Sequence, residues 1–179
     1  MNDHPVAPPA SPAPTIVVTE ALPADDLALI SDALDTFNIE ASGVADRHPL
    51  AVLVKDPQTG AVLGGLTGRT SLGLLFVDLF HLPTELRGQG LGSEVLRLAE
   101  EEGRRRGCRS AVLYTISFQA PEFYQRHGWE VFGEIPCDPP GTSRIFLRKE
   151  LRRPRTGHAS PVDRSHHAIT GNRPPAAAD

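Results

Sequence analysis

The stretch that most narrows the choice of fold is LPTELRGQGLGSEVLRLAEEEGRRRG, residues 82–107. Three glycines alternate at Gly88, Gly90 and Gly92, and charged sequence with helical periodicity follows at once. Glycine is costly to order and contributes no packing, so three of them before a helix need a reason. The run GLLFVDLFHL (73–82) precedes them and has the composition of a strand. A strand, a glycine turn and a helix start together make an anion-binding arrangement. The first N–H groups of a helix lack intrahelical partners, the macrodipole adds positive potential, and glycines let a phosphate reach the main chain.

Spacing decides which kind of loop this is. No G-x-x-x-x-G-K-[ST] is present, so it is not a P-loop. The order G-x-G-x-G, with no acid at the end of the next strand, does not fit a dinucleotide fingerprint. On the glycines alone, a turn that merely packs a helix closely remains open.

The rest of the chain supplies an α/β pattern with a mixed sheet and no internal repeat. TIVVTE (15–20) has strand composition. Pro23, Asp25 and Asp26 suit a first helical turn, and Leu27, Ile30, Leu34 and Phe37 recur at helical spacing, which predicts an amphipathic helix over 23–38. Two β-rich runs flank DPQTG, a hairpin turn at 56–60. In the long helix after Gly90, Leu91, Val95, Leu98 and Ala99 form an apolar stripe. The pairs Glu100/Arg104, Glu101/Arg105 and Glu102/Arg106 predict a solvated opposite face ending at Gly107. RSAVLYTI (109–116) is nearly all apolar and is expected to be buried on both faces. QAPEFYQRHG predicts a short helix, with WEVFGEI and SRIFLRKEL as closing strands; an exposed 143–150 strand would allow edge-to-edge pairing in a homodimer.

Composition separates the ends from the middle. Residues 1–14 are mostly proline and alanine, and 152–179 hold only Val162 and Ile169 as larger apolar side chains, so both ends are expected to be disordered around a domain at 15–151. Formal net charge is −4; the tail carries five Arg and two Asp, hence +3, which leaves −7 on the remainder. An acidic body argues against a nucleic-acid partner. No apolar run approaches a membrane span and the start lacks a signal-peptide pattern, so neither a membrane partner nor secretion is expected; the expectation is a cytoplasmic protein. Cys108 and Cys137 have no metal-ligand spacing, and no metal is expected.

At Arg87, Gly90 and Gly92 the chain resembles motif A of the GNAT superfamily of N-acetyltransferases, (Arg/Gln)-x-x-Gly-x-(Gly/Ala). FYQRHGWEVFGE resembles the family's motif B through Tyr124, Gly128 and Trp129, and TISFQAPEFYQRHGWEVFGEIPCDPPG is similar to small stand-alone bacterial members. The resemblance covers essentially 15–151. It implies a mixed, mostly antiparallel sheet flanked by helices and splayed between its fourth and fifth strands, the runs at 73–82 and 109–116.

It also implies acetyl-coenzyme A as cosubstrate and an amine as acceptor. The N–H groups of Arg87, Gly88, Gln89, Gly90, Leu91, Gly92 and Ser93 would hold the diphosphate, with Arg87 adding a positive side chain. The pantetheine would pair with main chain near Leu82, whose neighbourhood would polarise the thioester carbonyl. Tyr124 matches the family's thiolate-protonating tyrosine, and an ordinary phenol keeps its proton near neutral pH. Asp78, the one acid in its strand, is the candidate base. It is expected to be buried and on the same face as Leu82, with His81 on the opposite face; a structural acid is the alternative. Ser117 stands where the family often has Asn and would supply one polar contact to the pantetheine or thiolate. Asn38 is a candidate acceptor contact. The competing readings are a non-catalytic acyl-coenzyme A-binding module, a protein lysine or N-terminal acetyltransferase, and a nucleotide-binding interaction protein using the glycine loop alone. The acidic body favours a cationic small-molecule amine.

Overall fold

The computed structural model describes residues 14–151. The ends expected to be disordered, 1–14 and 152–179, lie outside the described residues apart from Pro14.

Six strands form one sheet: β1 (His48–Lys55), β2 (Val62–Ser71), β3 (Leu74–His81), β4 (Ser110–Ile116), β5 (Glu130–Cys137) and β6 (Thr142–Glu150). Their spatial order is β1-β2-β3-β4-β6-β5. Every neighbouring pair is antiparallel except β3 and β4. A parallel pair needs a long crossover, which the helix α2 (Leu91–Arg105) supplies. The hairpin between β1 and β2 forms as its sequence predicts: the Asp56 carboxylate accepts from the N–H groups of Gln58 and Thr59, and Gly60 closes the turn. Strand 143–150 is not an edge. β6 is flanked by β4 and β5, because the chain turns back at the β5–β6 hairpin and fills the gap beside β4.

The core lies between α2 and one face of the sheet. Val95, Leu96 and Ala99 of α2 pack with Leu75, Val77, Ala111, Leu113 and Leu147. A Cβ at Gly103 would come within 3.1 Å of Leu75 Cδ2, so the helix sits close on the strands. Leu96 rather than Leu98 belongs to this stripe, and the stripe continues one turn on to Glu100. That glutamate is 4% exposed, not solvated. The second face of β4 stays open: its burial alternates, and Tyr114 is 52% exposed, against the expectation of a strand buried on both sides. An apolar run buries both faces only where layers lie on both.

Residues 15–20 form no ladder; Ile16, Val17 and Val18 are exposed. β-branched residues favour a strand only where an edge is offered to pair with. The first helix, α1 (Ala24–Ser42), extends past the expected end to a left-handed Gly43. Its predicted apolar stripe faces solvent, and no residue of α1 is buried. Arg47 ties it to the chain through Asp35 and Ser31. A short helix, α3 (Pro121–Arg126), precedes β5. Among the described residues no helix is long and apolar enough to cross a membrane.

Candidate functional site

The parallel pair at the centre of the sheet is short. β3 and β4 are in register only at Leu74–Ser110, Leu75–Ala111 and Phe76–Val112. Beyond Phe76 the strands part, which is the splay the resemblance implies between 73–82 and 109–116. A bulge explains where the split begins. On β2, Thr67 pairs with Leu79 and Gly68 with Val77, so Asp78 drops out of the ladder. A bulge bends its strand and shifts its facing. Core positions are accordingly odd before it (Leu75, Val77) and even after it (Phe80, Leu82).

This shift corrects the expected placement of Asp78. It is not on the face of Leu82, nor is it buried; its side chain is 45% exposed and paired with Arg69 at 2.5 Å. The Arg69 guanidinium also lies 4.4 Å from the centre of the Phe76 ring. His81 is exposed as well, so Asp78 and His81 are both turned away from Phe80 and Leu82.

At the mouth of the split, the chain passes through a 3₁₀ turn (Thr84–Leu86) into α2. Gly90 stands at the helix N-cap with φ 81°, and Gly88 has φ 76°. A Cβ at either would meet nothing within 4 Å, so the backbone angle rather than crowding requires glycine there. The sequence continues with Leu91, Gly92 and Ser93 in the first turn. Among the described residues, no main-chain N–H from Gly88 to Ser93 donates to an internal acceptor; the first helical bond is from Glu94 N–H to Gly90 O. Such a row of unmet donors at a helix start suits an anion such as a diphosphate. Arg87 is the exception to the expected set, since its N–H donates to Thr84 O at 3.1 Å.

The Arg87 side chain turns toward the strand: Nε donates to the Leu82 carbonyl at 2.8 Å. Gln89 Nε2 likewise donates to Glu85 O. The Leu82 side chain is buried against the start of α2, where a Cβ at Gly92 would stand 3.6 Å from Leu82 Cδ1 and from the Phe123 ring. Cradle and strand end are thus joined through main chain, guanidinium and side chain.

Tyr124 lies on α3, packed edge-on to Phe123 and Trp129. Burial pushes its phenol up to about 12. No hydrogen bond engages that hydroxyl among the described residues. Ser117 continues β4 by one residue: its N–H donates to Ser143 O, and its Oγ accepts from Ser143 N–H. Asn38 lies inside α1 rather than after it, and no hydrogen bond joins it to the cradle.

Sequence periodicity missed the polar core beside the cradle. Glu100 accepts from Trp129 Nε1 at 3.0 Å, from Lys149 Nζ at 2.7 Å and from Arg104 at 3.1 Å. A cavity of 290 Å³ lies beside it, bounded by Gly90 and Ser93 at the helix start and by Arg97, Glu100, His127 and Lys149. The signal was present: Glu100 follows Leu96 at i+4 and precedes Gly103 at i+3, on the buried stripe.

The site is thus a mixed sheet split between two parallel neighbours, with the crossover helix opening onto the split through unbonded N–H groups. The sequence profile described as Acetyltransferase (GNAT) family matches residues 20–129, and the chain belongs to that family. It is 33% identical over 135 residues to the acetyltransferase Atu2258 of Agrobacterium fabrum, covering 75% of this chain and 98% of that one. It is 41% identical over 111 residues to a blasticidin-S acetyltransferase of Streptomyces morookaense, covering 60% and 82%. The crystal structure of an Agrobacterium tumefaciens protein described as an acetyltransferase superposes with a TM-score of 0.70 at 32% identity, covering 76% and 98%. The protein is an acetyltransferase.

Proposed function

We propose that the protein is an acetyl-coenzyme A-dependent N-acetyltransferase that moves the acetyl group onto an amine of a small molecule by direct attack on the thioester. The observation that carries this is the row of unbonded N–H groups from Gly88 to Ser93 at the mouth of the β3–β4 split. Acetyl-coenzyme A, when bound, supplies the activated acetyl group.

The chain's own residues divide the remaining work. Gly88, Gln89, Gly90, Leu91, Gly92 and Ser93 hold the diphosphate. Leu82 borders the split on the β3 side and Ser117 extends the β4 side. Arg87 fixes the Leu82 peptide plane and so sets which main-chain groups face the split. Tyr124 keeps its proton throughout the neutral range, because burial opposes its ionisation. A phenol held that high serves by donating a hydrogen bond to the developing thiolate rather than by giving up its proton outright.

The amine must lose a proton before it attacks, and Asp78 and His81 are the titratable groups on the open side of the β3 end. The Asp78 carboxylate is engaged with Arg69. The His81 imidazole, which has no such partner among the described residues, is therefore the proton acceptor in this reading, with Asp78 orienting a cationic substrate. Excess negative charge through Leu151 favours such a substrate, and the blasticidin-S relative is named for a small-molecule acceptor. The test is an acetyl-coenzyme A consumption screen over a panel of small amines, with Asp78→Asn and His81→Gln beside the wild type. Amine-dependent thiol release is expected. Stabilisation by coenzyme A with no turnover of any amine would favour a binding module instead.

A further inference from the structure

The two sides of the split carry the same device with different charge. On β3, Phe76 alternates with the core residues Leu75 and Val77, and the Arg69 guanidinium lies over its ring at 4.4 Å. On β4, Tyr114 alternates with Leu113 and Thr115, and the Arg144 guanidinium lies over its ring at 5.1 Å. An aromatic face holds a guanidinium flat and orients its donors. Arg69 is neutralised by Asp78. Arg144 has no carboxylate partner among the described residues. The acids near it are engaged or distant: Glu130 pairs with Arg148, and Glu134 accepts from Ser143 Oγ. Glu150 stands at the far end of β6, opposite Ser110, and Asp138 lies in the β5–β6 turn beyond the Cys137–Thr142 pair.

Register puts these groups across the opening from one another. The last rung of the parallel pair is Phe76–Val112, so Asp78 and Tyr114 stand level with each other two residues further on. Arg144 pairs with Ile116 and leans back over Tyr114. Tyr114 also begins a row of rings with Phe146 and Phe132, whose centroids are 5.9 and 6.2 Å apart. Tyr114 and Phe132 are each more than half exposed. Because α2 packs on the opposite face of the sheet, this is the side from which an acceptor reaches the split.

A simple alkylamine could use Asp78 Oδ2, which no group engages among the described residues, but it would leave Arg144 and the rings unmatched. A polycation would meet Arg144 as a like charge. We propose that the acceptor is zwitterionic: a small molecule with a planar or apolar body lying on Tyr114 and Phe146, its carboxylate on Arg144 and its amine in the split toward Asp78. This rests on the split being the acetyl-transfer site and adds the class of acceptor. Carboxylate and guanidinium meet in a two-point fork, and the rings beneath keep water from one side of it, which strengthens the attraction. Amine and carboxylate stand at opposite ends of the body, because the split and the Tyr114 ring are roughly one strand spacing, about 5 Å, apart.

Two matched probes test this, para-(aminomethyl)benzoate and para-(aminomethyl)benzamide, which share ring and amine and differ in charge at the far end. In calorimetric titration of the coenzyme A-loaded protein, where no turnover occurs, the acid is expected to bind about tenfold more tightly than the amide. Acetylation should show the same preference, carried by KM. Arg144→Gln brings the acid-to-amide ratio close to one, and Arg144→Lys retains part of it. Arg148→Gln, whose arginine is engaged with Glu130, keeps the ratio whole. Tyr114→Leu weakens both probes. A wild-type ratio near one or in favour of the amide overturns the proposal, as does a ratio that survives Arg144→Gln or the binding of neither probe. An acid preference that Arg144→Gln abolishes, with no amine acetylated at all, supports the zwitterion site and overturns the acetyl-transfer reading instead.

Discussion

Arg87 Nε donates to the carbonyl oxygen of Leu82 across five residues of chain, at 2.8 Å. The bond joins the last turn before the glycine cradle to the end of β3, the two sides of the site. A charged donor to a part-buried carbonyl contributes about 1.5–3 kcal/mol. Arg87→Ala is expected to lower kcat/KM for acetyl-coenzyme A about tenfold or more. Loss of the same bond should also lower the thermal midpoint by several degrees; steady-state kinetics and a thermal melt on the same preparation check both halves.

The two glycines of the motif should respond differently to alanine. At Gly90 the left-handed φ costs an L-residue about 1–2 kcal/mol, whatever the free space around it. At Gly92 the backbone is helical and a Cβ would make ordinary contact with Leu82 and Phe123. Gly90→Ala is expected to weaken coenzyme A binding about tenfold, and Gly92→Ala to leave it within about twofold, by isothermal titration calorimetry.

Tyr124→Phe separates catalysis from binding. Turnover is expected to fall on the order of 10²-fold with coenzyme affinity kept. The same variant has a stability signature. Below pH 10 an ordinary phenol is neutral in both folded and unfolded chains. Between pH 10 and about 12 the unfolded chain ionises Tyr124 while the folded chain does not. The unfolded state then binds fewer protons, so stability falls as pH rises, by about 2–3 kcal/mol over that window. Denaturant melts at pH 9 and pH 11.5 should show this loss in the wild type and less of it in Tyr124→Phe.

Glu100 holds Lys149, Trp129 and Arg104 together in the core. Glu100→Ala strands the Lys149 ammonium, which is 19% exposed, and is expected to cost about 3–5 kcal/mol in urea unfolding. Glu101→Ala, on the exposed side of α2 with only Arg97 as its ion-pair partner among the described residues, should cost under about 1 kcal/mol.

What the sequence made legible was local. The glycine turn, the helix after it, the Asp56 hairpin and the α/β pattern follow from spacing and turn chemistry within a few residues. Tertiary partners were not legible. TIVVTE has strand composition but no edge accepts it, and the stripe of α1 has helical period without a surface beneath it in its own domain. Glu100 looked solvated because its i,i+4 arginine was visible in sequence while Lys149 and Trp129, 49 and 29 residues away, were not. Asp78 illustrates the same limit within the site. Simple alternation put it on the face of Leu82, and only the β2 register, with its extra residue at the bulge, shows that it faces the other way.

The central claim is that main-chain nitrogens from Gly88 to Ser93 receive a diphosphate, and amide NMR addresses it directly. Titration with coenzyme A should shift the Gly88, Gly90 and Gly92 amide resonances strongly, and titration with pantetheine, which lacks the diphosphate, should leave them nearly in place. Coenzyme A binding that moves other amides while these three stay fixed would contradict the account.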